Sequence, residues 1–315
     1  MEYRRLGDSD LHVSEICLGT WTTFGESIGD DVAAAVVDAA FECGINFFDT
    51  ANVYGVPAGK SEEALGEALA GRPRESFIVA TKVCGQMPNG DRGLSREQIL
   101  KQIDASLARL RLDYVDVYQC HRYDEDVPLE ETLAALSELV EGGKVRFIGV
   151  SNWTGDQIRR AVELSREQGF AKIVSSQPQY SMLRREPEQD VIPASRENGI
   201  SQIPWSPLAQ GVLTGKYRPR QSWDDETRAA ARGDGFMSQF LGDDVLERVD
   251  RLRPIADGLD ISMAQLALAW LLRDETVAAP IVGASKPEQV RDNAAASGVR
   301  LDDATLRAID DALAA

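Results

Sequence analysis

The fold predicted for this chain is a (β/α)8 TIM barrel with an N-terminal β-hairpin and two extra helices. Three observations support it. Short β-branched or aromatic runs alternate with longer helical patterns. The alternation repeats eight times, and 315 residues is a length that α/β barrels commonly use as one domain. Parallel connections also build open doubly wound sheets, but eight units over about 300 residues favour a closed barrel. No Gly/Ser-rich or Pro-rich linker interrupts the chain, so residues 1–315 are read as a single domain.

In chain order, Tyr3 to Val13 alternates around the turn Gly7-Asp8-Ser9-Asp10 and reads as a hairpin that plugs or lids the barrel. Strand Ile16–Leu18 then precedes helix Asp31–Cys43, strand Asn46–Phe48 precedes helix Ser61–Leu69, and strand Phe77–Thr81 precedes helix Ser95–Leu110. Strand Tyr114–Gln119 leads to helix Leu129–Glu141, strand Val145–Val150 to helix Thr154–Gln168, and strand Ile173–Ser176 to helix Glu186–Asn198. After strand Ile200–Pro204 comes a long Gly/Pro-containing loop, then helix Ser262–Leu272, strand Val277–Ile281 and helix Pro287–Ala295. The extra helices are expected near Asp243–Leu259 and at Asp302–Leu313. Asp30 or Asp31, Ser61, Ser95, Thr154 and Ser262 stand where N-caps are wanted, because their side chains can accept a first-turn N–H.

Composition narrows the function. A formal charge of −17 argues against nucleic acid or an acidic membrane surface as partner, since a phosphate backbone demands a concentrated basic face. Cys17, Cys43, Cys84 and Cys120 are widely spaced with only His12 and His121 to join them, which predicts a reduced, metal-free protein. The start, MEYRRLGDSDLHV, lacks the apolar core of a signal peptide. The most apolar helix is about half the length a bilayer requires. The expectation is therefore a cytoplasmic protein with no membrane insertion and a small-molecule substrate, compatible with an oligomer.

The chemistry gathers around Ile45 to Gly55, INFFDTANVYG. Asp49 and Tyr54 fall at the carboxyl end of a buried strand, where barrels keep their sites. Alone, such a pair reads as a loop cap and a rim residue. The next two strands end in Thr81-Lys82 and Gln119-Cys120-His121, which puts four ionisable groups at equivalent positions of three consecutive strands. A Tyr hydroxyl titrates near 10, and a neighbouring Lys ammonium lowers that value by favouring the phenolate. Asp49 would keep the Lys82 ammonium charged in a low-dielectric cleft, and neutral His121 could hold a carbonyl oxygen against Tyr54. Such a set protonates an oxygen as negative charge develops on it, as hydride addition to an aldehyde or ketone requires. No side chain donates hydride, so a nicotinamide cofactor is implied.

The stretches LGTWTTFG, GINFFDTANVYG, IVATK, LRLDYVDVYQCH, IGVSNW, QPQYS, PWSPLAQGVLTGKY and IVGASKPEQVRDNAAA, in this order, resemble the aldo-keto reductases over nearly the whole chain. The wording of several is similar to the branch that includes voltage-gated potassium channel beta subunits and bacterial aldo/keto reductases. The resemblance implies that Tyr54 is the general acid, that Lys82 and Asp49 tune it, and that His121 orients the carbonyl. It also implies NADP(H). Gly19, Thr20, Trp21 and Asp49 would border the cofactor, Ser151, Asn152 and Gln177 would hold the nicotinamide carboxamide, and Trp205 would stack on its ring. The loop from Ser206, Pro207 and Leu208 through Gly211 and Gly215 to Lys216 would pass over the pyrophosphate. Gly283, Ser285, Gln289, Asp292 and Asn293 would take the adenosine 2'-phosphate and adenine, a phosphate being well placed near a helix N-terminus.

The chain departs from the family pattern where many members carry an Arg or Lys pair for the 2'-phosphate. Here Ser285 and Gln289 occupy those positions, with Lys286 and Arg291 nearby. In the channel branch the His position is often replaced, and His121 is present here, which favours an active reductase. Trp21, Phe24, Tyr54, Met87, His121, Tyr123 and Trp153, with parts of the Leu208–Gly242 excursion, are the expected substrate walls; their aromatic character suggests an apolar or aryl carbonyl. Two other functions fit the same residues. One is a cofactor-loaded, redox-sensing binding module with little turnover, and the other a sugar or alcohol dehydrogenase running in the oxidative direction.

Overall fold

The structure, a computed structural model, describes residues 1–219 and 235–314. Part of the Leu208–Gly242 excursion, residues 220–234, lies outside the described residues. Strands β1 (Tyr3–Arg5) and β2 (His12–Ser14) form the predicted antiparallel hairpin, with Tyr3 opposite Ser14. Then come β3 (Cys17–Gly19), β4 (Phe47–Asp49), β5 (Ile78–Val83), β6 (Val115–Cys120), β7 (Val145–Ser151), β8 (Ile173–Gln177), β9 (Ser201–Gln202) and β10 (Ile281–Gly283). These eight strands form one parallel sheet in the order β10-β3-β4-β5-β6-β7-β8-β9. Its two edges meet. Gln202 bridges Val277 in parallel, Ala278 N–H donates to Gln202 O at 2.8 Å, and Ile281 N–H donates to Pro204 O at 2.9 Å. The barrel is therefore closed, and no long edge is left to pair with another chain.

Helices α1 (Asp30–Glu42), α2 (Lys60–Leu69), α3 (Arg96–Leu110), α4 (Leu129–Glu141), α5 (Gly155–Gln168) and α6 (Val191–Glu197) follow β3 to β8 in turn. After β9 come α7 (Asp243–Asp250), α8 (Arg253–Gly258) and α9 (Met263–Leu272), and after β10 come α10 (Pro287–Ala294) and α11 (Asp303–Ala314). Ser95, Thr154 and Ser262 cap their helices as expected, the last two as reciprocal boxes with Gln157 and Gln265. Two expected caps are absent. Gly29 and Gly59 occupy the N-cap positions of α1 and α2, so Asp30 and Asp31 act only through the helix dipole. Ser61 lies inside α2, where its hydroxyl donates to Phe24 O at 2.6 Å.

Two expected helices are broken. Over 186–198 a 3-10 turn, Glu186–Glu188, precedes α6. Asp190 takes a non-helical φ of −141°, and its carboxylate accepts the Gly155 N–H at 2.6 Å, serving the start of α5 instead. The helix expected over 243–259 divides into α7 and α8. Pro254, in the first turn of α8, lacks the N–H that a continuous helix would need.

Alternation along the strands decides what faces the barrel interior. Phe47, Ile78, Ala80, Val117 and Val174 point inward and pack with Leu6, Leu11 and Val13 of the hairpin, which plugs the amino-terminal end. Gly7 makes the plug possible: with φ +52°, a Cβ there would lie 2.2 Å from Val174 O. Phe48, Val79, Val83, Tyr118 and Cys120 point outward into the layer beneath the helices. By the same period Asp49, two residues beyond Phe47, and Lys82, two beyond Ala80, are inward at the carboxyl end. Among the described residues no single helix is long and apolar enough to cross a membrane. The apolarity of α9 follows from burial on nearly every side.

Candidate active site

Lys82 Nζ lies 2.5 Å from Asp49 Oδ1 and donates to Thr50 O at 2.8 Å, and both side chains are buried. Its ammonium stands 4.8 Å from the centre of the Tyr54 ring. Tyr54 sits in the turn after β4, fixed by its N–H to Ala51 O and by the N–H groups of Gly59 and Ser61 donating to its carbonyl. The Tyr54 hydroxyl is 3.4 Å from His121 Nε2, and the two rings meet edge to face. His121 follows β6 directly, tied by its N–H to Val83 O at 2.8 Å. Asp49, Tyr54, Lys82 and His121 thus converge at one end of the barrel.

Burial opposes a charged Lys82, yet Asp49 and then Tyr54 hold its pKa above the ordinary value. The ammonium is therefore the stable form. Tyr54 corrects the expectation. Burial raises its pKa more than Lys82 lowers it, with Asp49 adding to the rise, so the net shift is upward. Lys82 still favours the phenolate; it offsets part of a larger desolvation cost. His121 is pushed down to about 3, first by burial and then by the Lys82 and Arg122 cations. Its imidazole is neutral at physiological pH.

A consequence for stability follows from His121. The unfolded chain takes up this proton near 6.5, whereas the folded chain does so only near 3, so stability falls as pH drops through that window. NMR of ring-labelled histidine should show His121 without a titration between about pH 5 and 8, where an ordinary imidazole changes charge. A midpoint inside that range would overturn the assignment of a neutral ring.

Beside the tetrad runs a cleft of about 810 Å³. Of the residues expected at the cofactor, Gly19, Trp21, Asp49, Gln177, Trp205, Ser206, Pro207, Leu208, Gly211, Lys216, Gly283, Ser285, Gln289, Asp292 and Asn293 line it. Thr20, Ser151, Asn152 and Gly215 do not. Thr20 is fully buried with its hydroxyl on Thr50 Oγ1 at 2.9 Å, and Ser151 donates to Gln177 O at 2.9 Å. Asn152, at a left-handed φ of 57°, donates to His121 O at 3.2 Å and accepts from Trp205 Nε1 at 3.0 Å. Its amide braces the Trp205 ring.

The expected substrate walls are met in part. Trp21 lines the cleft and touches both Tyr54 and Trp205, with ring centres 6.2 and 5.9 Å away. Phe24 is a correction: it is fully buried in the layer under the helices, packed where α2 meets the barrel. His121, Met87, Tyr123 and Trp153 do not line the cleft; His121 meets Tyr54 beside it, Tyr123 and Trp153 pack edge to face on each other at 4.8 Å, and Met87 is half-buried in the loop after β5. Thr22, Thr23, Ser27, Gln210, Thr214 and Lys286 line the cleft without having been singled out as binding residues. Most fall inside GTWTTFG and SPLAQGVLTGKY, so the motifs marked the segments but not the inward-facing side chains.

The far end of the cleft suits an anion. Lys286 lines it and precedes Pro287 at the start of α10, where the helix dipole favours negative charge. Arg291 is turned away, with its guanidinium on Glu42 at 2.9 Å. Gln289 Oε1 accepts from the Ser285 N–H at 2.8 Å, and the Asp292 carboxylate accepts from Gln265 at 2.7 Å.

A family model described as the aldo/keto reductase family matches residues 15–314. The chain belongs to that family. This aldo/keto reductase is 38% identical over 298 residues to a "Probable voltage-gated potassium channel subunit beta" of Arabidopsis thaliana, covering 93% of this chain and 90% of the relative. A relative of the same description from Oryza sativa subsp. japonica matches equally. An "Uncharacterized oxidoreductase YrpG" of Bacillus subtilis (strain 168) is 36% identical over 321 residues, covering 99% of this chain and 95% of the relative. Both branches named from the motif wording are represented, and family and relatives together support an oxidoreductase.

Proposed function

We propose that this protein reduces aldehydes or ketones to alcohols with NADPH, Tyr54 donating the proton to the carbonyl oxygen. The observation that carries the proposal is the Tyr54 hydroxyl, 3.4 Å from a neutral His121 and beside an ammonium held by Asp49. The cleft fits the cofactor: Trp205 offers an aromatic face, Gln177 an amide, and Lys286 with the start of α10 a place for phosphate. A reduced nicotinamide bound there supplies the hydride. His121 holds the carbonyl oxygen by a hydrogen bond, and Lys82 stabilises the phenolate left after proton transfer.

The test is a panel of aryl and aliphatic aldehydes, ketones and sugars, run with NADPH and NADH in parallel and in reverse with NADP+ and alcohols. Carbonyl-dependent loss of NADPH absorbance is expected, with aryl aldehydes fastest. Faster oxidation of alcohols would favour the dehydrogenase direction. A second reading, a cofactor-loaded redox-sensing module, is favoured by the 38% identity to relatives named as channel beta subunits. Tight NADPH binding with no turnover across the panel would replace the first reading by the second.

Roles within the set divide unequally. Asn at position 49 keeps an oxygen for Lys82 and nearly the same volume, so Asp49→Asn is expected to slow turnover less than Tyr54→Phe does. The reverse order in measured kcat would overturn that division.

A further inference from the structure

Gln119 lies in the barrel interior with no exposed surface, one turn of the strand period above Val117, which packs in the apolar floor. An apolar side chain would be the economical choice there, because a buried amide costs free energy unless its hydrogen bonds are made. Its bonds are specific. Gln119 Nε2 donates to Asp49 Oδ2 at 3.2 Å, and Gln119 Oε1 accepts from Gln177 Nε2 at 3.3 Å. Gln177 Nε2 also donates to Asp49 Oδ2 at 3.0 Å. Oδ1 of Asp49 is held by Lys82, so both carboxylate oxygens are fixed. Both N–H bonds of Gln177 run toward the interior, which leaves its carbonyl oxygen as the group offered to the cleft it lines.

The fold makes room for this contact. Gly149 on β7 is the residue paired with Gln119, and Ser175 on β8 is paired with Gly149. A Cβ at Gly149 would lie 3.1 Å from Gln119 Cγ and 2.3 Å from Ser175 Oγ. The backbone φ there is not left-handed, so what excludes a side chain is space, part of it taken by Gln119.

We propose that Gln119 is a positioning residue: it holds Asp49 in register with Lys82 and fixes Gln177 with its carbonyl oxygen toward the cofactor. The proposal rests on the reading of Tyr54 as acid. Without the amide, Asp49 would lose a donor and could turn from Lys82. Asp49 raises the Tyr54 pKa where it stands, so with the carboxylate turned away the ammonium would favour the phenolate more and Tyr54 would ionise at lower pH. Gln177 would be free to flip, and one flipped state would present its N–H groups to the cleft.

The variants are Gln119→Met, which keeps length and removes both hydrogen-bonding groups, and Gly149→Ala, which crowds Gln119 from the neighbouring strand. Tyr54 ionisation is read in the cofactor-free protein by ultraviolet difference titration against Tyr54→Phe. NADPH affinity is read by quenching of tryptophan fluorescence, and kcat and KM against pH with p-nitrobenzaldehyde. Both variants are expected to move the Tyr54 midpoint down by about one pH unit, with kcat falling several-fold as Lys82 and Gln177 lose their positions and KM for the aldehyde little changed. NADPH affinity should weaken several-fold. An unmoved midpoint and an unchanged NADPH affinity, even with lowered thermal stability, would reduce Gln119 to a packing residue and overturn the proposal. If Tyr54→Phe turns over at the wild-type rate, the acid reading falls. If Tyr54→Phe is inactive and Gln119→Met leaves every titration in place, the assignment of Gln119 falls alone.

Discussion

Tyr54→Phe is expected to lower carbonyl reduction about a thousandfold, within the range that a positioned general acid contributes, while NADPH affinity stays unchanged. The substitution removes only the hydroxyl oxygen, so the ring keeps its contacts with Trp21 and His121. The loss should fall on kcat, because the proton moves in the transition state and does little for ground-state binding. Steady-state kinetics with a reactive aldehyde and a separate cofactor titration divide the two effects. A variant with wild-type kcat would exclude Tyr54 as the acid. Since burial raises its pKa, the wild-type rate should hold through the neutral range and decline only in alkali, where the hydroxyl loses its proton.

Lys82→Met is expected to abolish turnover and to destabilise the fold by about 3–5 kcal/mol, the cost of leaving one member of a buried ion pair without its partner. Asp49 would then remain in the interior with only the amides of Gln119 and Gln177 as donors. Burial would raise Tyr54 unopposed. The double variant Asp49→Asn/Lys82→Met should recover much of the stability and none of the activity. Urea unfolding of the single and double variants tests this, and equal midpoints would show that no uncompensated charge had been left behind. The pKa of Lys82 is raised above 10.5 in the folded state. The stability it contributes is therefore fully present below that value and lost only as pH rises through the higher folded-state value. The gap between wild type and Lys82→Met should be flat across the neutral range.

Much of the fold was legible because its signals are local. Turn residues, caps and two periodicities place most elements within a residue or two, as for α4, whose bounds Leu129–Glu141 match expectation; β10 departs, beginning at Ile281 where the expected strand Val277–Ile281 ends. Ser95, Thr154 and Ser262 capped as read, since a cap needs only its own helix. Ser61 does not cap α2 because its hydroxyl serves Phe24, on a distant loop. The helix over 186–198 failed for the same kind of reason: Asp190 turns aside for Gly155, 35 positions away. Phe24 and Thr20 sit in a motif that borders the cleft, yet their side chains point into the protein.

The sequence by itself determined the order of eight βα units, the apolar interior and the strand ends at which Asp49, Tyr54, Lys82 and His121 stand. Period-2 alternation and turn chemistry are properties of neighbouring residues, so these were written locally. Only the tertiary structure decided which side chains line the cleft, that burial outweighs Lys82 in shifting Tyr54, and that Gln119 joins the site. The contacts behind those outcomes join residues 70 and 128 positions apart, from Gln119 and Gln177 to Asp49. Such contacts form only when the sheet closes and opposite strands point into one interior, and no pattern within a single strand specifies them.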